Sequence, residues 1–186
     1  GQFLEWKYDW QLEWAVSDEM NDQMQAFTTA LAHFYQASPQ LFELDHDYAG
    51  FEVIDADNTA ESVLSFIRKD ASGNQLICVF NMAPIERANF TIGVPFAGAY
   101  TEVLNSEMTE FGGSWLAHNA DTATQKGQWK DYQNTLSFTL PALGAVIWKL
   151  SKDDGEAQTK KKKSVKKSAK KSIKSSPQTT ADDIQQ

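Results

Sequence analysis

The residues that decide the fold class are Val63-Leu-Ser-Phe-Ile-Arg-Lys-Asp-Ala-Ser-Gly-Asn-Gln-Leu-Ile-Cys-Val-Phe80. Apolar side chains form two short runs in this stretch, one on each side of the polar segment 72–74. Short runs of this kind are typical of β-strands, and serine, glycine and asparagine are residues that turns favour. The stretch therefore predicts two strands separated by a turn.

Similar runs recur up to residue 150. Their apolar residues are Phe51/Val53, Phe90/Ile92/Val94, Tyr100/Val103, Leu136/Phe138/Leu140 and Val146/Trp148/Leu150. About seven short strands with no helix between them predict a mainly β fold, an antiparallel β-sandwich. Residues 105–134 are polar and contain Gly112 and Gly113, so we expect a long loop there with at most one short strand.

One amphipathic helix is predicted before the strands, over residues 17–38. Ser17 is a suitable N-cap, and the dipeptide Ser38-Pro39 ends the helix because the residue before proline disfavours the α conformation. Five apolar residues recur at intervals of three and four, namely Met20, Met24, Phe27, Leu31 and Phe34. This spacing predicts one apolar stripe along the helix.

The charge is divided between two regions of opposite sign. Residues 1–150 contain 7 basic and 20 acidic residues, whereas residues 151–186 contain 10 basic and 5 acidic residues. A serine- and lysine-rich repeat of period four fills 164–175, and such a composition buries too little apolar surface to offset the entropy of ordering. We therefore expect 151–186 to be a disordered basic tail that either binds a polyanion or is simply solvated.

Composition sets limits on location and on cofactor chemistry. The chain has 186 residues, and no apolar run is long enough to span a membrane. Its single cysteine, Cys78, lies in an apolar run and favours a reducing compartment, so we expect a cytoplasmic protein with Cys78 buried. The three histidines, at positions 33, 46 and 118, are far apart, and no nucleotide motif is evident. We therefore expect neither a metal site nor a cofactor.

The first fourteen residues combine aromatic and acidic side chains. Three of the six tryptophans lie here, among Glu5, Asp9 and Glu13. Indole faces next to carboxylates suit a sugar, since the ring packs on C–H groups and the carboxylates accept hydrogen bonds from hydroxyls. Trp6, Trp10 and Trp14 are also four residues apart, a spacing that equally fits the buried face of a short helix.

Several segments resemble, in the same order, the C-terminal part of bacterial 1,4-α-glucan (glycogen) branching enzymes. They are Gly1-Gln2 with Glu5-Trp6, Leu12-Glu13-Trp14, Leu41-Phe-Glu-Leu-Asp45, Gly50-Phe-Glu-Val-Ile-Asp55, Ser62-Val-Leu-Ser-Phe-Ile-Arg68, Val79-Phe-Asn-Met-Ala-Pro84, Ile92-Gly-Val-Pro95, Glu102-Val-Leu-Asn105, Phe111-Gly-Gly-Ser114 and 136–143. The resemblance covers about residues 1–150. Two departures stand out: Met82 replaces a common phenylalanine, and 115–118 replaces a loop richer in glycine and asparagine.

The resemblance implies a domain organisation and an activity. Residues 1–40 would be the end of a truncated (β/α)8 catalytic barrel, 41–150 a C-terminal all-β domain, and 151–186 an added tail. The parent enzyme would cleave an α-1,4-glucan and transfer the released chain to a 6-hydroxyl, as part of glycogen synthesis.

The catalytic carboxylates of the family lie upstream of the matched region, so we expect no catalytic residue in this chain and no branching activity from it alone. Glu5, Trp6, Asp9 and Trp10 are candidates for the rim of the substrate site, and the α-glucan would be the partner. The alternative is a non-catalytic carbohydrate-binding or interaction module whose tail binds polyanions.

Overall fold

The computed structural model describes residue 5 and residues 7–11, 19–114 and 118–151. This part of the chain contains one α-helix, three short 3₁₀ turns and nine β-strands. Their bounds are α1 Glu19–Ala37, β1 Phe51–Asn58, β2 Val63–Lys69, β3 Gln75–Asn81, β4 Arg87–Val94, β5 Ala99–Asn105, β6 Thr122–Ala123, β7 Gln125–Trp129, β8 Tyr132–Leu140 and β9 Ala145–Leu150, with 3₁₀ turns at Pro39–Leu41, Tyr48–Gly50 and Thr109–Phe111. The seven predicted strands are all present, and the helix agrees with its prediction.

The strands form two antiparallel sheets that pack face to face, so the predicted sandwich is confirmed. One sheet has six strands in the order β1-β2-β3-β9-β5-β6, and the other has three in the order β4-β8-β7. The shared interior is apolar and includes Ile67, Ile77 and Trp148 from the large sheet and Leu136 and Leu140 from the small one. Each of these five side chains is fully buried.

Strand β3 lies inside the large sheet because its sequence is apolar on both faces. Four consecutive residues, Leu76 to Val79, are buried, and the strand pairs with β2 on one side and β9 on the other. Strands covered on both faces read as continuous apolar runs. Ile77 and Val79 face the small sheet, whereas Leu76 and Cys78 face a second apolar cluster on the outer side.

Helix α1 covers part of this outer side. Phe34 packs with Leu41 against the outer cluster, and Phe27 meets Phe111 edge to face at 5.4 Å between ring centroids. The remaining three residues of the predicted stripe, Met20, Met24 and Leu31, are 75%, 59% and 40% exposed. Ser17, the predicted N-cap, lies outside the described residues.

A polar junction fixes the end of α1 to the large sheet. The Arg68 guanidinium donates to the Leu41 carbonyl at 3.0 Å and pairs with Asp45 at 2.5 Å. The buried Gln40 amide donates to Asp70 at 2.8 Å, and Asp70 also accepts from the backbone and side-chain amides of Asn74. The 3₁₀ turn that follows α1 is therefore bound to β2 and to the β2–β3 turn by directional hydrogen bonds.

Residues 105–134 contain more regular structure than the predicted loop. They hold a 3₁₀ turn, β6 and β7, and β7 pairs with β8 through a tight turn at Lys130. Strand β7 carries one large apolar residue, Trp129, so it shows no alternation that would predict a strand. Its pairing depends on the neighbouring β8, which is apolar and alternating.

The sheet edges are short or irregular. Strand β6, at one edge of the large sheet, has two residues. Strand β1, at the other edge, pairs with β2 through two register shifts, and β4 has a shift next to Asn89, whose φ is 56°.

No helix of the described residues has the length and apolar content of a membrane span. The tail from residue 152 lies outside the described residues.

Candidate functional site

The predicted rim residues lie on an exposed turn at the start of the chain. Glu5 and Asp9 are exposed, and Trp10 is 57% exposed. The turn is closed by a hydrogen bond from the Trp10 amide to the Lys7 carbonyl at 3.1 Å, and the Lys7 ammonium lies 5.1 Å from the Trp10 ring centroid. Trp6, the fourth candidate, lies outside the described residues.

This turn offers the chemistry of a sugar contact, although it is not a cavity. Tyr8 is 90% exposed beside Trp10, so two aromatic surfaces and the Asp9 carboxylate face solvent together. An aromatic ring with a neighbouring acceptor can hold the apolar face and the hydroxyls of a pyranose. Whether these residues contact a glucan stays a prediction.

A half-buried hydrogen-bond network is centred on the Glu102 carboxylate in β5. Burial raises the pKa of this carboxyl, while hydrogen bonds from Asn119 and Asn105 and the charge of His118 act in the opposite direction. Asn119 donates to Glu102 at 2.6 Å and to the Thr139 carbonyl at 2.9 Å, and it accepts from the Thr139 amide at 2.7 Å. Glu102 therefore belongs to a clip between the two sheets and has a structural role.

Other acidic side chains of the sandwich are held in ion pairs. They are Asp45 with Arg68, Glu52 with Lys69, Glu61 with Arg87 and Asp55 with Lys130.

An open groove of about 470 Å³ beside α1 is lined by Asp22, His33 and Glu110 among others. Within the described residues, no group of three or more His, Cys, Asp or Glu side chains is arranged to hold a metal ion.

Cys78 is unsuited to nucleophilic chemistry. It is 2% exposed in the middle of β3. Burial raises the pKa of its thiol to about 12, an effect that the Arg68 charge partly offsets. The thiolate is the reactive form of cysteine, so at neutral pH this residue acts as a small apolar side chain, as the sequence predicted.

The outer face of the large sheet presents a row of phenylalanines, which we call the sheet strip. Phe51, Phe66 and Phe80 come from β1, β2 and β3, with ring centroids 5.2 Å and 5.7 Å apart. Phe51 is 45% exposed, and Phe66 and Phe80 are half-buried. Helix α1 leaves this row partly open to solvent.

The sheet strip ends at an open depression of about 360 Å³, which we call the notch. Its lining residues are Phe80, Asn81, Met82, Ser106, Leu143, Gly144 and Ala145. Met82 and Leu143 are 63% and 68% exposed. Asn81 holds the two loops of the notch together, because its side-chain amide donates to the carbonyls of Ile85 and Pro141, each at 2.8 Å.

Leu143 adopts a left-handed backbone conformation with φ of 47°. This region is sterically unfavourable for a residue with a Cβ and is normally left to glycine, asparagine or aspartate. The Leu143 amide donates to the Ala83 carbonyl at 3.0 Å, which helps to hold the turn. The sequence did not predict the notch, since neither an exposed methionine nor a leucine before a glycine indicates a surface feature.

Comparison with known proteins agrees with this architecture. Residues 53–151, which run from β1 to the end of β9, match the model of the α-amylase C-terminal all-β domain. The chain belongs to this family. The α-amylase C-terminal domain thus accounts for the whole sandwich, whereas α1 and the junction at Gln40 precede the matched residues.

The chain is also similar to bacterial 1,4-α-glucan branching enzymes (GlgB), which confirms the resemblance inferred from its motifs. It is 42% identical to the enzyme of Lactobacillus acidophilus over 151 residues, 80% of this chain and 24% of that protein. It is 37% identical to that of Lactiplantibacillus plantarum and 34% identical to that of Halothermothrix orenii, over 79% and 80% of this chain and 24% of each protein. The chain therefore spans about a quarter of the length of these relatives.

Among solved structures, an α-amylase from H. orenii matches with a TM-score of 0.40 and 19% identity, over 68% of this chain and 20% of that one. A match this distant carries no argument about function.

Proposed function

We propose that this chain is the C-terminal part of a 1,4-α-glucan branching enzyme. The observation that supports the proposal most strongly is the 42% identity to such an enzyme over 80% of the chain, together with the match of the sandwich to the α-amylase C-terminal domain. The whole enzyme would form α-1,6 branches in glycogen by moving α-1,4-linked chains. Residues 1–40 would complete a catalytic barrel, and 41–150 would form the β domain.

In this proposal the chain supports catalysis without performing it. Retaining glycosyl transfer requires a carboxylate nucleophile and a second carboxyl group as acid and base, on opposite sides of the bond. Five acidic side chains, Asp45, Glu52, Asp55, Glu61 and Glu102, are engaged in the ion pairs and in the clip described above. The catalytic carboxylates of the branching-enzyme family lie upstream of the segments that this chain resembles, so the reacting groups would belong to the rest of the enzyme.

A branching assay tests this division. Purified 1–186 is incubated with amylose, and α-1,6 linkages are counted by NMR, with the intact L. acidophilus enzyme as the active comparator. We expect 1–186 to form no more branches than a heat-inactivated sample, since losing a catalytic unit removes most of the rate enhancement. Branch formation above that level would show that the chain has its own catalytic group.

We further propose that Glu5, Trp6, Asp9 and Trp10 lie at the rim of the substrate site in the whole enzyme. In the intact protein, Trp6→Ala and Trp10→Ala should lower kcat/KM for amylose without a comparable loss of stability. Tyr35→Ala is a matched control, because Tyr35 is also a half-exposed aromatic residue but lies on α1, away from the predicted rim residues in the sequence. Equal losses of activity for the control and the rim variants would remove the rim assignment.

The alternative function is that of a non-catalytic carbohydrate-binding module. The exposed Tyr8 and Trp10 beside Asp9 favour it. Migration of 1–186 through a native gel with and without embedded amylose distinguishes the two functions. Retardation that disappears in Trp10→Ala would favour a binding module, and unchanged migration would leave the chain as a structural part of an enzyme.

The basic tail is proposed to bind polyanions by charge, in a cytoplasmic protein. It contains ten basic and five acidic residues and has no aromatic residue. Binding of this kind is independent of sequence and weakens steeply as salt concentration rises. Retention of 1–151 and 1–186 on heparin at increasing ionic strength tests it, and equal retention of the two proteins would show that the tail contributes nothing.

A further inference from the structure

The open groove beside α1 lies between this helix and the 3₁₀ turn Thr109–Phe111, and we call it the helix groove. Its volume is about 470 Å³, and its lining includes Asp22, Ala26, Ala30, His33, Glu110 and Phe111. We propose that the lysine-rich segment 160–175 of the same chain docks in the helix groove. The docking goes beyond the proposed function, because it is a contact within the chain and does not depend on branching activity.

The first argument is the charge of the two walls of the groove. Helix α1 carries Glu19 and Asp22 and contains no lysine or arginine. Residues 106–114, which include the other wall, carry Glu107 and Glu110 and likewise contain no lysine or arginine. The segment 160–175 contains nine lysines and no acidic residue. Complementary charges of this kind favour the encounter of two surfaces and suppress contacts with the wrong one.

The second argument separates the groove from the other acidic surfaces of the domain. Asp45, Glu52, Asp55 and Glu61 form ion pairs with arginine or lysine, and none of these four residues lines the groove. Their negative charge is therefore balanced within the sandwich. The groove lining contains two acidic residues and no lysine or arginine, so its charge is available to a basic segment.

The third argument is the apolar pattern of the two partners. Ala30 and Phe111 are half-buried in the groove lining, and the short alanine side chain leaves room beside the helix. In the segment, Val165, Ala169 and Ile173 recur every four residues between pairs of lysines. Residues four apart share one face of a helix. A segment that becomes helical on docking would therefore place apolar side chains in the groove and lysines at its acidic borders.

The fourth argument is that the groove is already formed. Its two walls are packed together by Phe27 and Phe111, whose ring centroids are 5.4 Å apart. Gly112 lies so close to the helix that a Cβ at this position would be 2.5 Å from the Gln23 side-chain oxygen. A rigid groove leaves only the segment to be ordered, which lowers the entropic cost of docking.

The fifth argument is the reach of the tail. The Ser151 amide donates to the Ala99 carbonyl at 2.8 Å, so the chain leaves the sandwich at the start of β5. The wall that contains Glu110 follows the other end of β5, whose seven residues span about 24 Å. Residues 152–159 can span up to about 27 Å when extended. This length brings Lys160 to the end of the domain where the groove lies.

The groove also stays open when the opposite side of α1 is covered. Asp22, Ala26 and His33 recur at intervals of four and seven residues and share one face of the helix. The exposed Met20 and Met24 are each offset from that face by two residues, about 200° around the helix axis. A neighbour that buries the two methionines therefore leaves the groove accessible to the tail.

A spin label in the tail tests the docking. Ser168→Cys introduces a thiol at a position that is neither a lysine nor one of the apolar residues of the segment, and Cys78, which is 2% exposed, stays unlabelled. In isotope-labelled 1–186, we expect the label to remove most of the intensity of the amide signals of Ala26, Ala30 and Phe111 and little of that of β4 and β8. Raising the salt concentration from about 0.1 M to about 1 M shortens the Debye length from about 10 Å to about 3 Å and should restore the signals.

Two pairs of substitutions with the same charge change locate the contact. Asp22→Asn with Glu110→Gln removes the groove charge and should restore the broadened signals. Asp57→Asn with Glu86→Gln, at two exposed residues outside the groove lining, is the matched control and should leave the broadening unchanged. Amide spectra of the same variants in 1–151 check the fold, and Glu110→Gln alone replaces the double variant if Asp22→Asn loosens the first turn of α1.

Three results would overturn the proposal: no broadening, broadening spread evenly over the sandwich, or equal restoration by the groove and the control variants. A mixture of spin-labelled protein without isotopes and isotope-labelled 1–186 without the thiol adds a further outcome. Broadening at the groove in that mixture would make the tail of a second copy the occupant and would overturn docking within one chain. None of these readouts depends on branching activity, so the proposed function and the docking can fail separately.

Discussion

The two outer faces of the sandwich follow the same strand geometry but carry different chemistry. On the small sheet, Thr91 and Ser137 lie opposite each other on β4 and β8 and share a hydrogen bond of 2.8 Å at the surface. On the large sheet, Phe66 and Phe80 are stacked with centroids 5.7 Å apart. An antiparallel sheet with one solvated face alternates apolar and polar residues. Strand β8 of the small sheet obeys this rule, whereas the central strand β3 of the large sheet is apolar on both faces, as in a sheet that is covered on both sides.

The comparison separates two uses of apolar surface. The interior between the sheets stabilises the domain itself, and both sheets contribute buried residues to it. The sheet strip contributes less to the unfolding free energy of the domain than its apolar composition suggests, because part of its apolar surface stays exposed to solvent. Substitutions at the interior, at the junction, in the clip and on the small sheet should therefore produce effects of decreasing size.

The largest effect is expected from Trp148→Ala in the shared interior. Trp148 is fully buried and lies 5.1 Å from Phe138, measured between ring centroids. Removing the indole leaves a cavity, and such changes cost about 3–5 kcal/mol of unfolding free energy. Denaturant titration of the variant measures this cost, with the exposed Trp10→Ala as control. A loss below about 1 kcal/mol would mean that the two sheets do not share one cooperative interior.

A moderate effect is expected from Arg68→Met at the junction. The change keeps the apolar stem and removes the donors to the Leu41 carbonyl and to Asp45. A buried carbonyl left without a partner costs about 1–3 kcal/mol, and Leu41 is half-buried, so we expect a loss of unfolding free energy toward the lower end of that range. Amide hydrogen exchange should show faster opening of α1 with little change in β4 and β8. Equal acceleration in both regions would show that the junction stabilises the whole domain and has no special role for the helix.

A pH-dependent effect is expected from Glu102→Gln in the clip. Burial raises the pKa of Glu102 in the folded protein, so folding favours its protonated form. The natural protein should therefore lose stability as the pH rises from the unfolded pKa of a glutamate through the higher folded pKa. The variant, with no titratable group there, should lack this component. If the difference in unfolding free energy between the natural protein and the variant stays constant within about 0.3 kcal/mol from pH 4 to pH 7, the raised pKa of Glu102 is contradicted.

The smallest effect is expected from Thr91→Val on the small sheet. Threonine and valine both favour strands, and the side chain lies on the solvent-facing side of β4. The unfolding free energy should change by less than about 0.5 kcal/mol, since surface substitutions outside special features stay in that range. Thermal denaturation measures the change. A larger loss would show that the half-buried hydrogen bond to Ser137 stabilises the small sheet more than a surface pair normally does.

The strands that could be predicted from the sequence are those whose buried residues form a continuous or an alternating apolar pattern. Leu76 to Val79 form a continuous apolar run, and Leu136, Phe138 and Leu140 alternate with polar residues. All of these apolar residues are buried, so the apolar pattern was enough to predict the strands. Strand β7 could not be found in this way. Its residues from Gln125 to Trp129 depend on pairing with β8, and pairing between distant segments leaves little trace in a short polar sequence.

For helix α1 and for the candidate site, the sequence pattern likewise indicated which residues matter but not what surrounds them. The stripe of α1 was predicted from its spacing, but the spacing could not tell that Phe34 would pack on the sheet and that Met20 would remain exposed. The rim residues followed from composition, and the exposed turn around Trp10 is compatible with them. The notch depends on one backbone angle at Leu143 and on two loops that Asn81 joins across 60 residues, which no local pattern encodes.

The irregular borders of the large sheet have a consequence for how the protein can assemble. A strand can be added to a sheet only where an edge offers a long, regular row of free backbone groups. Strand β6 supplies two residues, and the register shifts in β1 interrupt its row near Asp55. The large sheet is therefore protected at both edges from growing strand by strand into a fibre.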